Sequence, residues 1–182
     1  VPAGTRWLYS TGETNLVGTL VQQATKKPLA PYLAEKVWGP AGMEQQATWL
    51  LSKTGKEIGG CCVQASPRDY ARLGVFILNG AQVNGQSIVP EGWWAEATTK
   101  RADIGRPGRG YGYQWWTYDD GSYAARGIFG QGIFIDPQRK LVIVSNANWA
   151  HGARDPQATE ARENFYREVQ QVIDEEARAP RP

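Results

Sequence analysis

A chain of 182 residues supports one domain, and a domain of that size buries roughly 70% of the surface its unfolded chain exposes. A formal charge of +2 with no clustered basic run argues against a nucleic-acid surface, and no apolar stretch approaches the length of a membrane span. One His and one adjacent pair, Cys61-Cys62, give no metal spacing, and because neighbouring Cα atoms sit closer than disulfide geometry usually asks, no bridge is expected.

The chain opens on Val1 with Pro2-Ala3-Gly4, and this reads as a processed product or a piece of something longer, with no signal peptide. Residues 1–8 are an extended approach to the turn Tyr9-Ser10-Thr11-Gly12. Thr14 is a plausible N-cap for an amphipathic helix over 15–26, with Leu16, Val17, Leu20, Val21 and Ala24 at helical spacing. Pro31 opens a short helix, Tyr32 to Val37, which Gly39-Pro40-Ala41-Gly42 ends. Residues 44–60 read as one or two short strands around a polar loop, Ser52 to Glu57.

Ser66-Pro67-Arg68-Asp69 is a strong helix start: Ser66 caps, Pro67 fits the first turn and Asp69 favours the dipole. Asn79-Gly80 stops that helix, and Asn84-Gly85 marks a turn. Pro90 opens another short helix through Trp93-Trp94, and residues 101–110 read as a surface loop. Tyr111 to Thr117 alternate with the period of a strand, and Asp119-Asp120-Gly121 is a hairpin turn. Tyr123 to Arg126 then leads into two apolar runs, Gly132 to Ile135 and Leu141 to Ser145, around Asp136-Pro137. These read as an antiparallel hairpin covered on both faces and central in a sheet. Asp155-Pro156 starts a last helix, roughly to Ala177, before a frayed tail at 179–182. Helices, a run of antiparallel strands and a terminal helix make an α+β fold, with helices packed on a meander sheet.

Few residues offer chemistry on their own. Cys61 or Cys62 with His151 would make a thiol hydrolase, though a small residue beside a loop histidine is the plainer reading. Asp119-Asp120 reads as a turn and Asp174-Glu175-Glu176 as a solvated helix end. Tyr9 at a helix entrance reads as a capping or packing residue; as a general base it would need nearby cations to lower its pKa from about 10. Gly127, Gly130 and Gly132 mark a bend, or else let a ligand's backbone approach closely.

Taken together, several stretches change that balance. Tyr9-Ser10-Thr11 through Gly18 resembles the Tyr-Ser-Asn-type motif of class C β-lactamases. Pro31-Tyr32-Leu33 through Met43, and Gly59-Gly60 followed by Ser66 to Gly74, are similar to that family's next landmarks. Tyr111 to Trp116 and Gly127 to Gln131 resemble the branch containing 6-aminohexanoate-dimer hydrolase and esterases. The likeness to this serine β-lactamase-like family covers nearly the whole chain, in order. It implies a single partial domain, 1–182, the C-terminal portion of a serine hydrolase acting on small-molecule amides or esters, with no cofactor. In such enzymes a Ser in Ser-x-x-Lys attacks the carbonyl, Lys and Tyr manage the proton, and two N–H groups hold the oxyanion.

The resemblance implies Tyr9 as the catalytic tyrosine, the Ile128 N–H as one oxyanion donor, and Arg126, Gly127, Gly60, Cys61 and Asn15 as substrate-facing. Thr11 stands where the common motif has Asn, with Asn15 four residues later, and Arg126 where many relatives have Lys or His. Lys53-Thr54-Gly55 spells the family's Lys-Thr-Gly triplet, but in a polar loop, where it reads as turn residues. None of the lysines has Ser three residues before it, so the nucleophile motif and the first strands of the sheet are missing from this chain. The expectation is therefore no acyl transfer by these residues alone, and association through a sheet edge with the missing N-terminal half or a second copy. The alternative is a non-catalytic peptide- or glycan-binding module, with Tyr111, Tyr113, Trp115 and Trp116 lining a groove. Compartment stays open between cytoplasm and periplasm or exterior, unpaired cysteines leaning to a reducing one.

Overall fold

The computed structural model describes residue 2 and residues 4–179; Val1, Ala3 and the tail at 180–182 lie outside the described residues. Two-stranded ribbons pair β1 (Thr48–Trp49) with β2 (Val63–Gln64), and β3 (Gln82–Val83) with β4 (Gln86–Ser87). The fold is carried by an antiparallel sheet of β5 (Ala102–Asp103), β6 (Arg109–Tyr111), β7 (Trp116–Tyr118), β8 (Tyr123–Arg126), β9 (Gly132–Asp136) and β10 (Leu141–Ser145). These six lie in the order β10-β9-β8-β7-β6-β5. The helices are α1 (Thr11–Thr25), α2 (Leu29–Leu33), α3 (Pro67–Leu78), α4 (Trp93–Ala97) and α5 (Pro156–Arg178).

Every residue of β9 is buried, because helices cover both faces of the sheet there. Alternate side chains go to opposite sides. Ile133 and Ile135 join Tyr123 and Ile77 of α3 in one cluster, with Val142 and Val144 of β10 against it. Phe134 joins Ala124 and Tyr166 of α5 in the other, backed by Leu141 and Ile143. Gly74 is what lets α3 approach: a Cβ there would lie 2.5 Å from Val142 Cγ1. On the far side the Tyr166 ring stacks on Phe134 at 4.4 Å between centroids. Arg139, in the β9–β10 turn, grips Asp174 of α5 with two bonds of 2.9 and 2.8 Å. The expected hairpin and its double coverage therefore hold, but only β9 is central; β10 is the edge of the sheet among the described residues.

Helices α3 and α5 start at their sequence signals. Ser66 Oγ accepts from the Asp69 N–H at 3.1 Å, and Asp155 Oδ1 from the Ala158 N–H at 2.9 Å. Four expectations need correction. Helix α1 begins earlier, capped by Ser10, whose Oγ accepts from the Glu13 N–H, so Thr14 lies inside the helix. Helix α2 starts at Leu29 and runs into a π-turn, Ala34–Trp38; Pro31 is its third residue, where the missing N–H has no intrahelical partner to lose. Residues 101–110 are not all loop, since β5 and the start of β6 fall there. The alternating run from Tyr111 to Thr117 is two strands and a turn. Gln114 takes φ +66°, and the Tyr113 N–H donates to Ala97 O at 2.8 Å, pulling the chain back on α4.

Asp69, fully buried, ties α3 to the preceding loop, accepting from the N–H groups of Glu44 and Gln45 and from the Ser66 hydroxyl. Burial opposes its ionisation, but those three donors outweigh it and hold the carboxyl below the usual range. A depressed folded pKa adds stability above the unfolded value of about 3.9, and that stability is lost as pH falls through the folded value. Stability should therefore drop on acidification below about pH 4, and Asp69→Asn should flatten part of that slope while lowering stability at pH 7. Denaturant titrations across pH check this; a variant curve parallel to the parent's acid limb would contradict it.

Candidate active site

The first turns of α1 rest on the loop 59–62 through backbone contact. A Cβ on Gly18 would come within 3.0 Å of Gly59 Cα, and one on Gly60 within 2.7 Å of the Thr11 carbonyl oxygen. Only glycines allow that seat. Asn15 Oδ1 completes it by accepting from the Gly59 N–H at 2.9 Å. The structure thus brings the Tyr9 motif, Asn15 and Gly60 together, with Cys61 next in the chain.

Cys61 and Cys62 are bonded to each other, which corrects the expectation of two free thiols and removes the Cys–His pairing with His151. The two Cα atoms stand 3.7 Å apart, and Cys62 adopts a left-handed φ of +82°. The carbonyls of the loop are engaged: Trp49 Nε1 donates to Cys61 O at 2.9 Å, and the Leu50 N–H to Cys62 O at 3.0 Å.

Tyr9 stands at the mouth of α1, 54% exposed, with its ring stacked on Trp116 at 5.6 Å and edge-on to Tyr111 at 6.0 Å. Thr14 Oγ1 donates to Gln114 Oε1 at 3.2 Å, a second tie from α1 to the β6–β7 turn. The guanidinium of Arg126 lies 5.8 Å from the centre of the same Trp116 ring. Trp116 is therefore the wall on which the tyrosine and the third-motif cation meet. Arg126 is not a free cation: it donates to Glu163 of α5 and to the Tyr118 hydroxyl, and Arg109 meets Glu163 at 3.3 Å. Glu163 is buried, so two guanidinium groups share one carboxylate beside a cavity of about 20 Å³ lined by Arg106, Arg109, Tyr118 and Arg126.

Past Arg126 the chain makes a closed turn. Gly127 N–H donates to Gln131 O at 2.8 Å, and the Phe129 N–H to Gln131 Oε1 at 3.0 Å. A Cβ at Gly127 would strike Gln131 Oε1 at 2.4 Å, and one at Gly130 would strike the Trp149 ring at 2.3 Å. These glycines serve the turn's own packing. The Ile128 N–H takes no hydrogen-bond partner among the described residues, and Ile128 is 65% exposed. A preorganised, unspent N–H is the property an oxyanion donor needs.

The four aromatics offered as one groove divide between surfaces. Trp115 packs on Tyr123 toward α3, Tyr113 lies against Trp93, and Tyr111 and Trp116 join Tyr9. Glu163 and Trp149 are supports that the sequence did not single out, whereas Gln131 closes the family-like stretch that begins at Gly127. Glu163 leaves one trace, an acid three residues before the Tyr166 that anchors α5. Lys53-Thr54-Gly55 forms the tip of a small turn closed by Ser52 N–H to Lys56 O at 2.7 Å, as expected.

Helices over both faces of an antiparallel sheet, with the tyrosine at the mouth of α1 stacked on Trp116 of β7, make part of a β-lactamase-like hydrolase domain. The Beta-lactamase family model matches residues 1–166, and the chain belongs to that family. The 6-aminohexanoate-dimer hydrolase of Paenarthrobacter ureafaciens is 27% identical over 152 residues, covering 78% of this chain and 39% of that protein. A Bacillus anthracis protein assigned as a 6-aminohexanoate-dimer hydrolase superposes with a TM-score of 0.82 at 28% identity, covering 96% of this chain and 46% of its own. A Mycobacterium bovis β-lactamase shares the fold at a TM-score of 0.64 and 22% identity, over 91% of this chain and 66% of its own. The chain thus spans less than half the length of the two 6-aminohexanoate-dimer hydrolase relatives.

Removing the Glu163 carboxylate leaves Arg126 and Arg109 without a counter-charge. Glu163→Ala should cost roughly 3 kcal/mol of stability, where a loss under about 1 kcal/mol, the range of exposed pairs, would contradict the arrangement. Urea unfolding of the variant measures it.

Proposed function

We propose that this chain is the tyrosine- and oxyanion-bearing part of a serine hydrolase that cleaves small linear amides or esters by acyl transfer, close in activity to the 6-aminohexanoate-dimer hydrolases. The observation that carries the reading is the convergence at Trp116: Tyr9 stacks on this ring, Arg126 lies against it, and the unpartnered Ile128 N–H follows two residues on. A serine from Ser-x-x-Lys would attack the substrate carbonyl, and Tyr9 with the lysine would carry the proton from nucleophile to leaving amine or alcohol. The Ile128 N–H would donate to the oxyanion of the tetrahedral intermediate, and water would then release the acid. Asn15 and Gly60 hold the helix that aims Tyr9.

The nucleophile comes from outside these residues, so this chain alone is proposed to be inactive. Two surfaces suit the segment that supplies it: the free edge of β10, and the apolar face of α1, where Leu16 and Leu20 are 68% and 66% exposed. A second copy of the chain is the other candidate for the β10 edge.

Replacing Tyr9 with Phe in the whole hydrolase should lower kcat for p-nitrophenyl esters and short linear amides by roughly 10²- to 10⁴-fold. Stopped assays with parent and variant check it; a variant within threefold of the parent would remove Tyr9 from proton transfer.

A further inference from the structure

We propose that Cys61 and Cys62 form a reversible thiol–disulfide site, open to small thiols, whose redox state controls how firmly the helix carrying Tyr9 is seated. The functional consequence rests on the reading of Tyr9 above; the coupling itself rests on geometry. The bond closes a ring between neighbouring residues with Cα atoms 3.7 Å apart, and it holds Cys62 at φ +82°, where a side chain is unfavourable. Cys61 is exposed, so a thiolate can reach its sulfur. The ring sits between two engaged segments. Downstream, Val63–Gln64 pairs with β1. Upstream, Gly59 and Gly60 press on Thr11, Asn15 and Gly18 of α1 with no side chain to cushion them. A change in the backbone at Cys62 therefore passes within two residues to the contact that seats α1. These are the chain's two cysteines, so exchange has no internal competitor.

The chemistry is thiol–disulfide exchange with a dithiol. One thiolate attacks the Cys61 sulfur, the S–S bond breaks, and Cys62 leaves as a thiolate that takes up a proton. The second thiol of the reductant then displaces Cys61 as its thiol and closes a cyclic disulfide. Two electrons and two protons pass from the dithiol to the protein. Once the ring opens, Cys62 is free to leave the left-handed region, and the Gly59-Gly60 seat loosens with it.

Dithiothreitol is the probe. The chain as isolated should take up no iodoacetamide, and after reduction it should gain two carbamidomethyl groups by intact mass. Hydrogen exchange at 59–63 and at 11–18 should then accelerate about threefold or more, while α3 stays unchanged. The double variant Cys61→Ser, Cys62→Ser controls for the reductant and should not respond to dithiothreitol. Alkylation without reductant, unchanged exchange at 11–18 on reduction, or a dithiothreitol response in the double variant would each overturn the proposal. Exchange is read without hydrolysis. A whole hydrolase that cleaves neither esters nor amides, yet still responds in exchange, would overturn the acyl-transfer reading and leave this one standing.

Discussion

Strand β9 must be covered on both faces, and the fold is arranged to do it. Its five residues are all buried, yet they come from a chain with only modest apolar content. Helix α3 closes one face through the bare surface at Gly74 and helix α5 closes the other through Tyr166. Fixing β9 fixes β8 beside it over four paired positions. The β8–β9 turn, with Arg126, Gly127 and Ile128, is thereby held as a rigid rim, the condition under which a backbone N–H keeps its aim.

The second fixed object is α1, which holds to the rest through glycines and a tryptophan wall. Direct backbone contact at Gly18–Gly59 and Gly60–Thr11 leaves no slack, so the direction of Tyr9 depends on the loop 59–62. Trp116 joins that helix to the sheet by stacking, not by charge. Arg126, where many family members carry an ammonium, is drawn to the α5 side by Glu163 and Tyr118. A planar guanidinium suits that role, since it can bond two partners and still lie against an aromatic face.

Much of this was legible in the sequence where the cause is local. Ser66-Pro67 and Asp155-Pro156 announced α3 and α5, because capping needs only the residues within one turn. The apolar runs of β9 and β10 announced a doubly covered hairpin. What the sequence concealed depends on distant partners. The break at Gly112 to Gln114 answers to Ala97, and strand alternation on both sides hid it. The Cys61–Cys62 bond needs a left-handed residue that has no sequence mark. The apolar spacing of α1 marks an amphipathic helix but does not say what covers that face, and Leu16 and Leu20 stay exposed. The family motifs point to Tyr9, Gly60 and Ile128 as candidates and say nothing of Glu163, whose contacts exist only once α5 folds over β8.

In the proposed enzyme these residues supply the proton carrier and an oxyanion donor, while the nucleophile comes from a Ser-x-x-Lys segment outside them. Fluorophosphonate treatment of the 182-residue chain, followed by peptide mass mapping, is the decisive measurement. No phosphonylated serine, Ser10 included, and no burst with p-nitrophenyl esters are expected. A stoichiometrically labelled serine would instead place the nucleophile within the chain and rule that division of labour out.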